Sequence, residues 1–435
     1  MRILYNILLL IVAIPGVLFF LLKMLITGKY RHSFLQKLGA RQNHLLSDLP
    51  AGGRIWIHAV SVGEVTAAAP VVAALKKQKP EIRIIFSTST ETGQGMAHRL
   101  VSGADAFIYF PLDISLAVHH MLNLVRPDIF VLVETELWPN FLAACRSRGI
   151  KVVLVNGRIS PRSFMKYYRT RFFWKQVLVN IDEAGMITDV DADRIRKIGL
   201  EDSRIGVLGN AKYDALAAMV SQELYKDTAR RFHVQTDERF FVAGSTHPGE
   251  EDAVIYVYRE LLKRYPDFKL ILVPRHVERA NDVVALLGRA GFNDVVTVSQ
   301  MRAGRKRSQE SVIVVDVIGE LFKVYSLATI VYCGGSLVPK GGQNILEAAA
   351  WGKVIFYGPS MEDFVEEAAL LEDVGAGIRI ANVQEFSEGV LHLLSDLPDL
   401  QRRGESGQRV VRANMGAAER YAKLVISCID KQTKD

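Results

Sequence analysis

Short apolar runs rich in Val and Ile recur along this chain in two series, and each run passes through a Gly, Ser or Thr loop into a helix-favouring stretch. The first series comprises Ile55–His58, Ile82–Ser87, Ile129–Val133, Val152–Asn156 and Gly185–Thr188. A polar interval between about residues 214 and 237 interrupts it. The runs then resume at Phe240–Ala243, Leu270–Val273, Val312–Asp316, Ile330–Cys333 and Val354–Tyr357. Strands covered by helices on both faces of a parallel sheet read as continuous Val/Ile/Leu, without polar alternation. Two such series predict an α/β protein of two Rossmann-like, doubly wound domains facing a cleft. Ligands of these sheets gather beyond the carboxyl ends of the strands, so function is expected in the loops that follow each run.

With 435 residues, each domain has enough chain for its own core. The 3 cysteines exclude a disulfide-built scaffold, and Cys145 and Cys333 lie in apolar runs as small core residues do. A formal charge of +7 and an isoelectric point near 9.1 point to an anionic partner: nucleic acid, anionic lipid or a phosphorylated substrate. At the N-terminus, Ile3 to Leu22 is apolar apart from Asn6, Pro15 and Gly16. A helix of that length spans about 30 Å, one hydrocarbon core. Arg2 alone precedes it, whereas Lys23, Lys29, Arg31, Lys37 and Arg41 follow. The positive-inside rule therefore predicts a single-pass anchor over residues 1–28 with the rest of the chain cytoplasmic. A hairpin or interfacial helix broken at Pro15–Gly16 is the alternative. The expected divisions beyond it are a domain over 29–214, a linker over 215–237, a domain over 238–410, and a C-terminal helix over 411–435 packing back towards the first domain.

The run ending at Cys333 enters Gly-Gly-Ser-Leu-Val-Pro-Lys340-Gly-Gly-Gln-Asn-Ile-Leu-Glu347. Gly341 and Gly342 permit close approach of the backbone to a ligand, and a helix opening at Gln343 favours a phosphate. Lys340 adds charge, and Glu347 is placed to accept hydrogen bonds from ribose hydroxyls. Ordinary strand-to-helix glycines are the competing reading. Two further loops end at the same sheet edge: Gly244–Glu251, with Ser245 and His247, and Pro274–Arg279, with Arg275 as a fork-shaped phosphate or base ligand. Ile318-Gly319-Glu320 offers backbone groups to a base.

In the first half, Ser61 and Glu64 have capping-box spacing, so Glu64 is either a helix cap or a catalytic carboxylate. Glu134 and Glu136 stand beside Trp138 beyond another strand, and Lys212 ends the series as a cation. Asp189 and Asp191 have the spacing of some metal-binding acids, but acids in a first helical turn need no metal to explain them. The sequence holds no Cys/His metal cluster and no Walker-type loop, so neither metal nor cofactor is expected. Between Glu136 and Asp182 there is no acidic residue, while Arg162, Lys166, Arg169, Arg171 and Lys175 interleave with Phe164, Tyr167, Tyr168, Phe172, Phe173 and Trp174. That mixture suits an anionic membrane surface better than single-stranded nucleic acid. The segment Arg302–Arg307 reads as an exposed basic loop.

As a set, these motifs, with the Ser87–Gly93 loop and Glu134–Pro139, resemble the 3-deoxy-D-manno-octulosonic acid (Kdo) transferases of Gram-negative bacteria, over nearly the whole chain. The resemblance implies a GT-B fold, with the acceptor, a lipid A precursor, in the first domain and the donor, CMP-Kdo, in the second. It implies an inverting glycosyltransferase of lipopolysaccharide biosynthesis, held at the inner membrane among anionic lipids, with no metal, no cofactor and no nucleic-acid partner. Carried onto this sequence, Glu64 is the base, and Glu134 and Lys212 stabilise the transition state. Pro274, Arg275, Ile318, Gly319, Glu320, Asn344, Ile345, Leu346 and Glu347 contact CMP. Ser245, His247, Lys340, Gly341, Gly342 and Gln343 are candidate donor contacts, and the cations Arg162 to Lys175 face the lipid. A nucleotide-sugar epimerase on the same fold and a non-catalytic nucleotide-sugar binder are the rival readings.

Overall fold

The computed structural model describes residues 53–235 and 237–432, together with 5–7, 9, 11, 36, 37, 42 and 46. The chain divides into two compact units, residues 1–215 with 415–435, and residues 216–414. In the first, strands β1 (Arg54–His58), β2 (Arg83–Thr88), β3 (Ala106–Tyr109), β4 (Ile129–Val133), β5 (Lys151–Gly157), β6 (Glu183–Met186) and β7 (Ile205–Val207) lie in the order β3-β2-β1-β4-β5-β6-β7, all parallel. Trp56 packs with Phe130 and Phe141 on one face, while its neighbours Ile55 and Ile57 pack with Val65 and Val71 on the other. Both faces are covered, which is why the run shows no polar alternation.

The second face is completed by the end of the chain. Helix Ala417–Gln432 packs on helix Val62–Gln78, burying Tyr421 and Val425. The Asp214 carboxylate accepts the N–H of Gly416 at 2.7 Å and of Ala418 at 3.3 Å, capping that helix. A side chain on Gly185 would meet the Tyr421 ring at 2.5 Å, so β6 needs glycine where the helix presses on it.

The second unit repeats the plan. Strands β8 (Arg239–Thr246), β9 (Phe268–Pro274), β10 (Val295–Thr297), β11 (Val312–Val314), β12 (Ala328–Cys333), β13 (Ile355–Tyr357) and β14 (Gly377–Arg379) lie in the order β10-β11-β9-β8-β12-β13-β14, again parallel. The interval read as a linker contains helix Gln222–Arg231, capped by Ser221 and packed on helix Leu321–Leu327. Thr228 and Phe232 are its buried anchors, too sparse to stand out as a periodic pattern.

Two expectations are corrected. Among the described residues no helix is long and apolar enough to cross a membrane, so a single-pass inner-membrane protein is not what the structure supports. Most of the run Ile3–Leu22 lies outside the described residues. Within the part described, Tyr5 donates to Asp113 Oδ2 at 2.9 Å and Asn6 Oδ1 accepts from Asn140 Nδ2 at 2.6 Å. The beginning of the run is therefore joined by polar contacts to the first unit. The second correction concerns Arg307, which is not an exposed loop cation. Its side chain is fully buried, donates to Glu238 Oε2 at 2.8 Å and to the Glu310 carbonyl at 3.1 Å, and lies over the Phe240 ring. A basic run carries no sign of which member turns inward.

Arg307→Ala leaves the half-buried Glu238 carboxylate with the Gln235 N–H at 3.0 Å but without its guanidinium, a change that typically costs about 1.5–3 kcal/mol. A corresponding drop in the denaturant midpoint is expected, with much of it recovered in Arg307→Met combined with Glu238→Gln. An unchanged midpoint in the single variant would contradict a structural role for this pair.

Candidate functional site

Beyond β1, the chain turns at Ser61 into helix Val62–Gln78. Ser61 occupies the N-cap in extended conformation, yet its side chain accepts no backbone hydrogen bond. Instead its hydroxyl donates to Glu64 Oε1 at 3.1 Å, and the Val60 N–H donates to Glu64 Oε2. The reciprocal capping box that the spacing allowed is not formed. Glu64 is only 8% exposed, and its pKa is pushed up to about 7. Burial is the main cause; the Val60 N–H opposes it, and the nearby negative charges of Glu134 and Glu136 reinforce it. A carboxyl group that exchanges its proton near neutrality is matched to general-base work.

The two acids beyond β4 face each other electrostatically. Glu134 has φ 58°, in the left-handed region that a non-glycine residue seldom occupies, while its N–H still donates to Val155 O at 2.9 Å. Lys212 Nζ lies 2.7 Å from Glu134 Oε1. Glu136 has a raised pKa from burial and from Glu134. Lys212 is positioned by a residue that the motif reading passed over: Asn156, at φ 52°, accepts the Ala211 N–H on its Oδ1 at 2.9 Å. An Asn closing an apolar strand was the available signal, since Asn tolerates this conformation.

Two other polar residues nearby have structural roles. His58 is fully buried, stacked on Phe110 with ring centroids 3.8 Å apart, and burial pushes its pKa down to about 3. It is neutral at any working pH. Asp191 accepts the Ile159 N–H at 2.8 Å and the Thr188 hydroxyl at 2.9 Å, while Thr188 caps the helix that starts at Asp189. The Asp-x-Asp pair thus serves a helix start.

In the second unit, one carboxylate gathers the loops. Glu250 is fully buried; its Oε1 accepts from Tyr332 Oη at 2.7 Å and from the N–H groups of Ser336 and Leu337 at 3.0 Å each. Its Oε2 accepts from the His247 N–H at 2.8 Å and the Gly335 N–H at 2.7 Å. Two loops are thereby tied together, closely enough that a side chain on Gly334 would meet Ser245 O at 2.5 Å. Nothing in the sequence separates Glu250 from Glu251 and Asp252, its companions in the first turn of helix Glu250–Arg264.

Ser245, Pro274, Arg275, Ile318 and Gly319 line one cavity of about 280 Å³. Glu320 does not present its carboxylate there. It is 2% exposed and engaged by Arg231, by Arg302 at 2.7 Å and by Lys323 at 3.2 Å. Gly341 and Gly342 take φ values of 84° and 82°, and Gly342 N–H closes the glycine loop on Gly335 O at 2.8 Å. The helix expected from Gln343 begins later, at Leu346, and runs only to Ala350. Asn344 Oδ1 accepts the Leu346 N–H at 3.1 Å, and Ile345 and Leu346 are buried. Glu347 has a pKa pushed up to about 7 by burial, against the Asn344 amide at 3.3 Å and the charge of Arg275. Lys340 and Gln343 lie in the glycine loop outside the lining of that cavity.

The basic-aromatic stretch forms helices Pro161–Arg169 and Arg171–Leu178. Phe164, Tyr167, Phe173 and Trp174 turn towards the core, whereas Met165, Tyr168 and Phe172 are exposed, Phe172 by 60%. Arg162, Lys166, Arg169, Arg171 and Lys175 are exposed around them.

Residues 30–215 match the family model described as 3-deoxy-D-manno-octulosonic-acid transferase (kdotransferase). The chain is 32% identical over 400 residues to a 3-deoxy-D-manno-octulosonic acid transferase of Haemophilus influenzae, covering 91% of each protein. It is 28% identical to one from Chlamydia pneumoniae, covering 96% of this chain and 94% of that one. Among solved structures, a putative UDP-N-acetylglucosamine 2-epimerase from Listeria monocytogenes superposes with a TM-score of 0.60 at 14% identity, over 88% of this chain and 97% of the other. That last likeness is one of fold.

The state of Glu64 has a consequence for stability. Because its pKa is raised on folding, the native state holds a proton that the unfolded chain has released between pH 4.5 and about 7. Stability should therefore fall as pH rises through that window, by on the order of 3 kcal/mol for this group. Glu64→Gln abolishes the effect, so the variant should gain on the unsubstituted protein as unfolding is measured at rising pH. A difference between them that does not change with pH would contradict the raised pKa.

Proposed function

The chain belongs to the 3-deoxy-D-manno-octulosonic acid transferase family, and on that footing we propose that it moves Kdo from CMP-Kdo onto a hydroxyl of a lipid A precursor, with inversion at the anomeric carbon. The observation that carries the reading is Glu64, an enclosed carboxyl whose pKa of about 7 lets it take a proton from an alcohol during attack. As the acceptor oxygen bonds to the anomeric carbon, its proton passes to Glu64. The bond to the CMP phosphate breaks with its electron pair on the phosphate. The Lys212–Glu134 pair stands beside that base: the Glu134 charge adds to the burial that keeps its pKa high, and the ammonium supplies positive charge where negative charge develops.

The second unit supplies the donor site in this reading. Pro274, Ile318 and Gly319 form the walls for the base, Arg275 binds phosphate or a base edge, and Asn344 and Glu347, at the ends of the segment whose buried Ile345 and Leu346 support it, meet the ribose. Ser245, His247, Lys340, Gly341, Gly342 and Gln343 surround the phosphate and sugar. CMP carries one phosphate, whose charge Arg275 and Lys340 are able to balance, so no metal enters the proposal. The exposed Met165, Tyr168 and Phe172, ringed by Arg162, Lys166, Arg169, Arg171 and Lys175, support contact with an anionic lipid surface, where the acceptor resides.

Assayed with CMP-Kdo and a lipid acceptor, Glu64→Gln should retain CMP binding and lose at least roughly 100-fold in transfer, the usual contribution of a positioned base. For the unsubstituted protein kcat should fall as pH drops below about 7, because protonated Glu64 cannot act as a base. Arg275→Ala should weaken CMP binding roughly tenfold or more, as expected for loss of a charged hydrogen bond. Near-normal turnover in Glu64→Gln would remove it from the mechanism, and unchanged CMP affinity in Arg275→Ala would remove the nucleotide from this cavity.

A further inference from the structure

His247 lies at the elbow between β8 and helix Glu250–Arg264, and it is held in two different ways. Its backbone N–H is engaged by Glu250 Oε2 at 2.8 Å, so the loop conformation does not depend on the ring. The imidazole itself is only 9% exposed, and its Nε2 is buried without a hydrogen-bond partner among the described residues. An enclosed polar atom left unpaired is costly and uncommon in native structures. A ligand that completes it explains why it persists.

The free edge of the ring faces the glycine loop. A Cβ at Gly335 would lie 3.4 Å from His247 Cδ2, the carbon adjoining Nε2, and 3.4 Å from Gln343 Nε2. Gly335 has φ +67° and so is suited to carry no side chain at that point. The charged and titratable groups facing His247 are Glu250, His276, Lys340 and Arg275. The Glu250 oxygens are already occupied by five donors. His276 stands perpendicular to the ring with centroids 6.0 Å apart. Four groups able to carry positive charge thus converge from three loops, and the facing Glu250 carboxylate is saturated. The five-residue helix after the glycine loop adds little dipole of its own. The chemistry that fits this arrangement is a phosphate.

We propose that His247 is the residue through which the glycine loop meets the phosphate of the nucleotide donor, Nε2–H donating to a phosphate oxygen, and that the ring takes up one proton when that phosphate binds. This rests on the reading of the second unit as the CMP site. Without phosphate the ring is neutral: burial lowers its pKa, Glu250 pulls the other way, and His276, Lys340 and Arg275 add to the lowering. An arriving anion reverses that balance. The proton comes from solvent, no covalent bond changes on binding, and the imidazolium then faces the oxygen on which charge accumulates as CMP departs. CMP affinity should therefore weaken as pH rises above neutrality.

The test is calorimetric titration of the full chain with CMP and with cytidine, in two buffers of different ionisation enthalpy, from about pH 6.5 to about pH 8.5. Proton uptake is expected with CMP and not with cytidine, and CMP affinity is expected to fall with rising pH. His247→Gln should bind cytidine as before, bind CMP roughly tenfold more weakly, and show neither uptake nor that pH dependence. CMP binding without proton uptake in the unsubstituted protein overturns the proposal, and this arm decides alone if the variant does not fold. Equal uptake in the variant also overturns it; in both cases the nucleotide reading stands. Failure of the unsubstituted protein to bind CMP overturns both.

Discussion

A carboxylate enclosed at the carboxyl end of a strand must gather hydrogen-bond donors or cations, or else hold its proton. Both outcomes occur in this protein: Glu250 and Glu320 gather partners, whereas Glu64 and Glu347 hold their protons to about pH 7. Glu250 collects five donors and fastens two loops of the second unit together. Glu320 collects three cations and binds helix Gln222–Arg231 to the start of helix Leu321–Leu327. Glu64 receives two donors only, and Glu134 and Glu136 add negative charge nearby, so burial prevails and its pKa reaches about 7. The first two acids are structural because they are satisfied. Glu64, with fewer partners and other acids nearby, keeps its proton to higher pH instead.

That imbalance depends on backbone held in uncommon conformations by the sheet. Glu134 and Asn156 close neighbouring strands, both with positive φ, and the paired strands beneath them hold that strain. Asn156 then positions Ala211, which carries Lys212 to Glu134. Two residues further on, Asp214 caps the last helix of the chain. The Lys212–Glu134 pair is thus linked to the C-terminal helix through a few residues of one segment. A substitution at that helix start is able to reach the acids without touching them.

The sequence revealed most about regular elements and least about the partners of individual charges. Continuous Val/Ile/Leu runs identify parallel strands because both faces are covered, and the strand-end loops follow from that. Charges are harder, since a residue type does not disclose its partner. Ser61 and Glu64 have capping-box spacing, but Glu64 turns to Val60 and the box is absent. Glu250 is indistinguishable in sequence from the acids beside it, and Arg307 from the cations before it. Asn344 satisfies the Leu346 N–H and delays the helix expected from Gln343. At the N-terminus, composition outweighed the polar residues Tyr5 and Asn6, whose hydrogen bonds run to Asp113 and Asn140.

The claim on which the catalytic reading rests is that Glu64 keeps its proton to about neutral pH because it is enclosed among other acids. Carbon-13 NMR of the glutamate side-chain carboxyls, with the Glu64 resonance assigned by its loss in Glu64→Gln, follows that proton directly. A midpoint near 7, moving downward in Glu134→Gln as one neighbouring charge is removed, is the predicted result. A midpoint at the ordinary glutamate value of about 4.3, indifferent to Glu134, would contradict it.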